Sequence, residues 1–204
     1  VPVHLGVVRD DETALADALA RGLESDVVVF SGGTSKGEGD ISYRVVHALR
    51  DPGVVAHGVA LKPGKPICLA VTQRKPVVIL PGFPTSAIFT FHEFLAPVLR
   101  AYAGLPAERR QTVAATLPMR VNSERGRTEY LLVGLIQGPQ GHSAYPMGKG
   151  SGSVTTFSGA DGFITIDQHT EILDAGSAVS VQLLGQRLEP ADLVIIGSHC
   201  VGLD

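Results

Sequence analysis

Much of the first reading comes from what the chain has little of. Its 204 residues include only two cysteines, Cys68 and Cys200, far apart. That excludes a disulfide framework and a cysteine-built metal site. Seven histidines are scattered with no H-E-x-x-H spacing, so a zincin-type centre has no donors. Net charge is −3, which gives no basic footprint for nucleic acid. No apolar run reaches the ~18 residues that a membrane-spanning helix needs. No secretory leader opens the chain, so a cytoplasmic protein is the expectation. Neither the P-loop pattern nor the G-x-G-x-x-G dinucleotide fingerprint occurs. What remains is 44% apolar residues, ample for a core in one large domain or two small ones.

The most informative stretch runs from Phe30 to Asp40. Before it, Asp26-Val27-Val28-Val29-Phe30 reads as a buried strand of a parallel sheet. After it, Ile41, Val45, Ala48 and Leu49 recur at helical spacing. Ser31, Gly32, Gly33, Thr34 and Ser35 therefore sit where a strand hands over to a helix, the end at which open α/β sheets bind ligands. Glycines allow close backbone approach, hydroxyls donate, and helix-start N–H groups add partial positive charge. The stretch reads as an oxyanion or phosphate cradle with Asp40 at its far lip. The plainer reading is a glycine turn with Asp40 as the helix N-cap.

Taken in order, Val1–Val8 is expected to form a strand. Asp10 and Asp11 then precede a helix carrying Leu15, Ala18, Leu19 and Leu23. Either aspartate can cap it. If the two strands are parallel, Asp10 also faces the Gly32 loop. Val54–Leu61 reads as a strand running into Lys62-Pro63-Gly64-Lys65-Pro66. Pro63 and Gly64 suit the centre of a type II turn with Lys62 and Lys65 at its shoulders. Two ammonium groups so placed can grip phosphate; the commoner case is a solvated turn. Ile67–Val71 and Val77–Leu80 form a hairpin around Thr72–Lys75. Pro81-Gly82-Phe83-Pro84-Thr85-Ser86 is a second strand-to-helix loop, and its helix, through Leu99, should kink or split at Pro97.

Pro106 to Arg110 reads as a linker. Beyond it no helix is expected. Val113–Leu117, Tyr130–Ile136, Ser143–Tyr145, Phe163–Ile166 and Ala178–Leu184 are short strands of a small barrel or sandwich. Turns fall at Gly138-Pro139-Gln140-Gly141 and Asp174-Ala175-Gly176. Arg125-Gly126-Arg127 and Lys149–Ser153 read singly as solvated turns. Ala191–Ile196 reads as one more buried strand before the chain stops. Val1 in place of Met and that late strand suggest an excised piece of a longer protein.

The order D-V-V-V-F-S-G-G-T-S-K-G-E-G-D, A-L-K-P-G-K-P, I-L-P-G-F-P-T-S-A, G-R-T-E-Y and a β-rich tail resembles the MoeA family over roughly residues 1 to 187. These are molybdopterin molybdenumtransferases, with the carboxy-terminal half of gephyrin as a relative. Four motifs in order are far more specific than any one. The resemblance implies a three-layer MogA/MoaB-like α/β domain over 1–106, incomplete at its amino terminus. A small β-barrel domain over 107–187 follows. Residues 188–204 resemble the start of a periplasmic-binding-protein-like domain. It implies insertion of molybdate into adenylylated molybdopterin with release of AMP, a divalent cation such as Mg2+, and a homodimer in the full-length protein. The fragment alone is expected to be inactive.

By motif, Asp10, Asp40, Lys62 and Ser151 match functional positions of the family. Asp10 and Asp40 either hold the cation or orient the attack. Ser31 to Ser35, Lys65, Pro81, Gly82 and Ser86 would line the pterin nucleotide. Two positions depart from the family pattern. Gly58 stands where many members have lysine, and Phe83 stands in place of the asparagine of L-P-G-N-P. The alternatives are a MogA-like adenylyltransferase on the same α/β fold and a non-catalytic ligand-binding or scaffold module.

Overall fold

The computed structural model describes residues 1–32, 41–108, 110–148 and 154–185. It contains two compact units, the first over Val1–Glu108. That unit opens with helix α1, Glu12–Gly22. Asp11 is its N-cap and accepts from the Ala14 N–H at 2.9 Å, while Arg21 lies in its last turn. Leu15, Ala18, Leu19 and Gly22 form its buried stripe, the three-to-four spacing of a helix. Strand β1 (Val28–Ser31) and helix α2 (Ile41–His47) follow. Next come β2 (Gly53–His57), the two-residue β3 (Leu61–Lys62), β4 (Cys68–Thr72) and β5 (Lys75–Leu80). The sheet order is β1-β5-β4-β2. β1 pairs parallel to β5, and the other pairs are antiparallel. The β4–β5 hairpin turns at Gln73 and Arg74, both at positive φ (51° and 63°), as a two-residue hairpin turn requires.

Alternation along β5 builds three layers. Val77 and Ile79 join Leu15, Leu19, Val45 and Val46 under α1 and α2. Val78 and Leu80 face the other way, against Leu95, Ala87 and Phe91. The second face is covered by α3 (Pro84–Thr90), a π turn (Phe91–Leu95) and α4 (Ala96–Tyr102). Pro97 thus does not split the helix. Instead the register widens one step before it, with the Ala96 N–H donating to Phe91 O. A π turn absorbs the hydrogen bond that proline cannot make. Helices this short do not persist alone in water, so the sheet contacts hold them.

Two strand expectations fail here. Residues 1–9 form no strand, and Val1, Val3 and Val7 are exposed. Apolar alternation makes a strand only where a neighbour supplies ladder hydrogen bonds; among the described residues β1 pairs with β5 alone. The Val54–Leu61 run is also broken. β2 ends at His57 because Gly58 takes φ +86° and turns the chain.

The second unit contains β6 (Thr112–Thr116), β7 (Val121–Asn122), β8 (Thr128–Gly138) and β9 (Gly141–Pro146). A five-residue helix α5 (Val154–Ser158) comes next, where no helix was expected; its β-branched V-T-T-F gives no helical signal. β10 (Gly162–Ile166), β11 (Ile172–Leu173) and β12 (Ala178–Leu183) complete it. β6, β9, β8, β10 and β12 pair in that order, and β12 pairs back to β6, so five strands close a barrel. All five fall where the sequence placed strands, within a few residues at each end. β6–β9 is the one parallel pair among them. Leu131, Val133, Leu135, Ala144, Ile164, Ile166 and Val181 fill the interior. Asp161, just before β10, ties β8 to the end of β12: its Oδ2 accepts from the Leu135 N–H at 2.7 Å, its N–H donates to Val133 O, and its O accepts from the Leu184 N–H. No helix among the described residues is long and apolar enough to cross a membrane.

Candidate functional site

Parallel pairing sets Ser31 opposite Leu80, so β1 and β5 end side by side. β5 then runs through Pro81–Phe83 into α3. The two strand ends meet: the Gly32 N–H donates to Leu80 O at 3.0 Å, and a Cβ on Gly82 would lie 3.6 Å from the Gly32 Cα. Gly32 sits at φ +98°, a conformation that side chains resist. Gly32 and Gly82, read separately from the sequence, thus form one junction at the carboxyl ends of two parallel strands. That is where an α/β sheet offers a ligand both backbone access and helix starts.

The Lys62–Lys65 turn borders the same helix. Gly64 has φ +118° and is packed against α3, where a Cβ would lie 2.4 Å from Thr90 Cγ2 and 3.7 Å from Ser86 O. The Val59 N–H donates to Lys65 O and the Gly58 N–H to Ile67 O, both at 2.9 Å, pinning the turn from its other side. Gly58, the departure from the family lysine, has a backbone role here: its positive φ and its N–H anchor the turn. Lys62 and Lys65 are half-buried.

Of the other residues singled out, Pro81 and Ser86 are buried and Gly82 is exposed. Ser86 O accepts the Thr90 hydroxyl at 2.8 Å. Thr85 Oγ1 is buried with no hydrogen-bond partner among the described residues. Asp10 lies in a bend before α1 and is exposed. Since Val1–Val8 forms no strand, no parallel strand end turns Asp10 toward Gly32, contrary to the expectation from the sequence. Asp11 is the capping aspartate. Gly33, Thr34, Ser35, Lys36, Asp40, Ser151 and residues 188–204 lie outside the described residues. Among the described residues no group of three His, Cys, Asp or Glu side chains could hold a metal. The described donors therefore do not by themselves fit a divalent cation. Thr90, which no motif pointed to, is the residue that sequence reading missed. In the sequence it is one more small residue of a core-facing helix.

Phe83 occupies the N-cap of α3 with extended backbone, makes no side-chain cap bond and is 61% exposed. A phenyl ring gives this helix start no capping acceptor. Phe83→Asn is expected to stabilise the first unit by about 1 kcal/mol. Urea unfolding followed by a probe in that unit would read it as a higher midpoint at unchanged slope. A midpoint at or below that of the parent would show that the phenyl ring contributes more than a cap.

A three-layer α/β unit followed by a closed five-strand barrel is an arrangement shared with known proteins of molybdenum cofactor biosynthesis. Residues 1–101 match the family described as "Probable molybdopterin binding domain", and residues 114–184 match "MoeA C-terminal region (domain IV)". The chain belongs to the MoeA family. It is 31% identical over 179 residues to the molybdopterin molybdenumtransferase of Synechocystis, covering 85% of this chain and 43% of that protein. It is 34% identical over 110 residues to the same-named protein of Nostoc, covering 51% of this chain and 24% of that one. The crystal structure of the molybdopterin biosynthesis MoeA protein from Pyrococcus horikosii superposes with a TM-score of 0.71 at 37% identity. That match covers 89% of this chain and 43% of the other. The chain thus spans less than half the length of these relatives.

Proposed function

We propose that this chain is the catalytic half of a molybdopterin molybdenumtransferase, which inserts molybdate into adenylylated molybdopterin and releases AMP. The observation that carries this is the junction of Gly32 with Gly82 beside the pinned Lys62–Lys65 turn. Its two glycine loops admit a phosphate to the backbone. Lys62 and Lys65 supply positive charge against the nucleotide phosphates or molybdate, as phosphoryl chemistry generally demands. Ser31, Gly33, Thr34 and Ser35 add donors in this reading, and Pro81 and Ser86 shape the floor. Ser151 belongs to this reading by its motif alone. The divalent cation that the resemblance implies would fall to Asp10 and Asp40. A homodimer and a cytoplasmic location of the full-length protein belong to the same proposal.

The test is molybdate insertion by the full-length protein with adenylylated molybdopterin, comparing Asp40→Asn with the parent. Asparagine caps a helix about as well as aspartate, so a pure cap would be nearly silent, within about 0.5 kcal/mol of stability. A role in the chemistry predicts unchanged melting but turnover reduced at least roughly tenfold, equivalent to ~1.4 kcal/mol of barrier. Wild-type turnover in the variant would return Asp40 to a cap.

A further inference from the structure

We propose that Thr90 is a positioning residue: its methyl group sets the depth at which the Lys62–Lys65 turn seats on α3. What the turn then grips rests on the functional reading above; the seating does not. Thr90 is 0% exposed and lies one helical turn after Ser86. Its hydroxyl donates to Ser86 O at 2.8 Å and lies 3.2 Å from Ala87 O. A threonine in a helix has few χ1 choices, and a hydroxyl bonded back to the preceding turn selects one of them. The methyl is thereby aimed, and it meets Gly64. The 2.4 Å from Thr90 Cγ2 to a Cβ at Gly64 is far inside contact distance, so the turn backbone approaches as closely as a glycine allows. Leu61 Cδ2, 3.5 Å from the same point, closes the near side.

Gly64 is therefore fixed twice. Its φ of +118° demands glycine for conformation, and Thr90 demands it for space. Lys62 and Lys65 flank this glycine, so a change in its depth moves both ammonium groups together. The hydrogen bonds to Gly58 and Val59 hold the turn from its other side; on the α3 side the buried methyl sets the depth, in a core where a missing methyl is felt.

Amide hydrogen exchange on the 204-residue chain tests this directly. The Gly58 and Val59 amides, which donate to Ile67 O and Lys65 O, report the seating. Thr90→Ser keeps the hydroxyl and deletes the methyl; Thr90→Val keeps the shape and deletes the hydroxyl. The serine variant is expected to exchange roughly tenfold faster at Gly58 and Val59, with the β4 and β5 amides unchanged. The valine variant should remain within about twofold of the parent. Gly64→Ala should accelerate the same amides, and adding Thr90→Ser should recover part of the loss by removing the atom it strikes. Equal effects of serine and valine, or no recovery in the double variant, would overturn the proposal. Titration with inorganic pyrophosphate separates the two readings. If the parent binds it and Thr90→Ser weakens binding more than Thr90→Val does, the seated turn is an anion grip. If the parent does not bind it, the functional reading of the lysines fails, while exchange still decides the role of Thr90.

Discussion

Gly162→Ala is expected to cost the barrel about 3 kcal/mol, among the larger effects of adding one methyl group. A Cβ there would lie 2.5 Å from Gln182 O, 2.6 Å from Val181 Cγ1 and 3.2 Å from the Gln182 carbonyl carbon. Two of these are backbone atoms, which no rotamer change can move aside. Strand β10 cannot retreat, because it pairs with β12 on one side and β8 on the other. Asp161, the preceding residue, ties both neighbours to the same point. Shifting Gly162 therefore opens the seam or strains the Asp161 bonds. Gly138→Ala is the control. It too lies in a strand, but its Cβ would come no closer than 3.5 Å to Gly141 O, an ordinary contact. Urea unfolding read by barrel amides should show a much lower midpoint for Gly162→Ala than for Gly138→Ala. Matching midpoints would mean that the seam yields where the register says it cannot.

Lys62→Ala is expected to reduce molybdate insertion by the full-length protein roughly tenfold to a hundredfold. A hydrogen bond to a charged group contributes about 1.5–3 kcal/mol when its partner is an anion in a partly enclosed site. Lys62 begins a turn whose next residues are fixed by Gly64 against α3 and by the Val59–Lys65 hydrogen bond. Its reach is consequently pre-set, and the ligand need not order it. Affinity for the nucleotide should also depend less on salt after the substitution, because one screened attraction is gone. Lys36→Ala, on the loop side, should do less. The two variants compared at low and high salt check this. An undiminished rate in Lys62→Ala, or equal losses in both, would remove the lysine from the phosphate role and leave it as a turn residue.

The sequence by itself was enough for much that depends on near neighbours in the chain, though not for α5. Leu15, Ala18 and Leu19 announced α1 because a helix repeats every three to four residues. The five barrel strands showed themselves through apolar alternation between glycine turns, and the ordered motifs carried the family. Each is a short-range pattern, and short-range patterns are written out in order.

Tertiary structure decided what depends on residues far apart. Val1–Val8 has the alternation of a strand and is none, because no described strand pairs with it. Gly32 and Gly82 looked like two separate loops. The parallel register of β1 on β5 makes them one junction, since pairing, not loop composition, fixes which strand ends are adjacent. The glycine of K-P-G-K was legible as a turn residue. That it also had to clear the methyl of Thr90 was not, because close packing is a property of the folded interior and leaves no periodic mark in the chain.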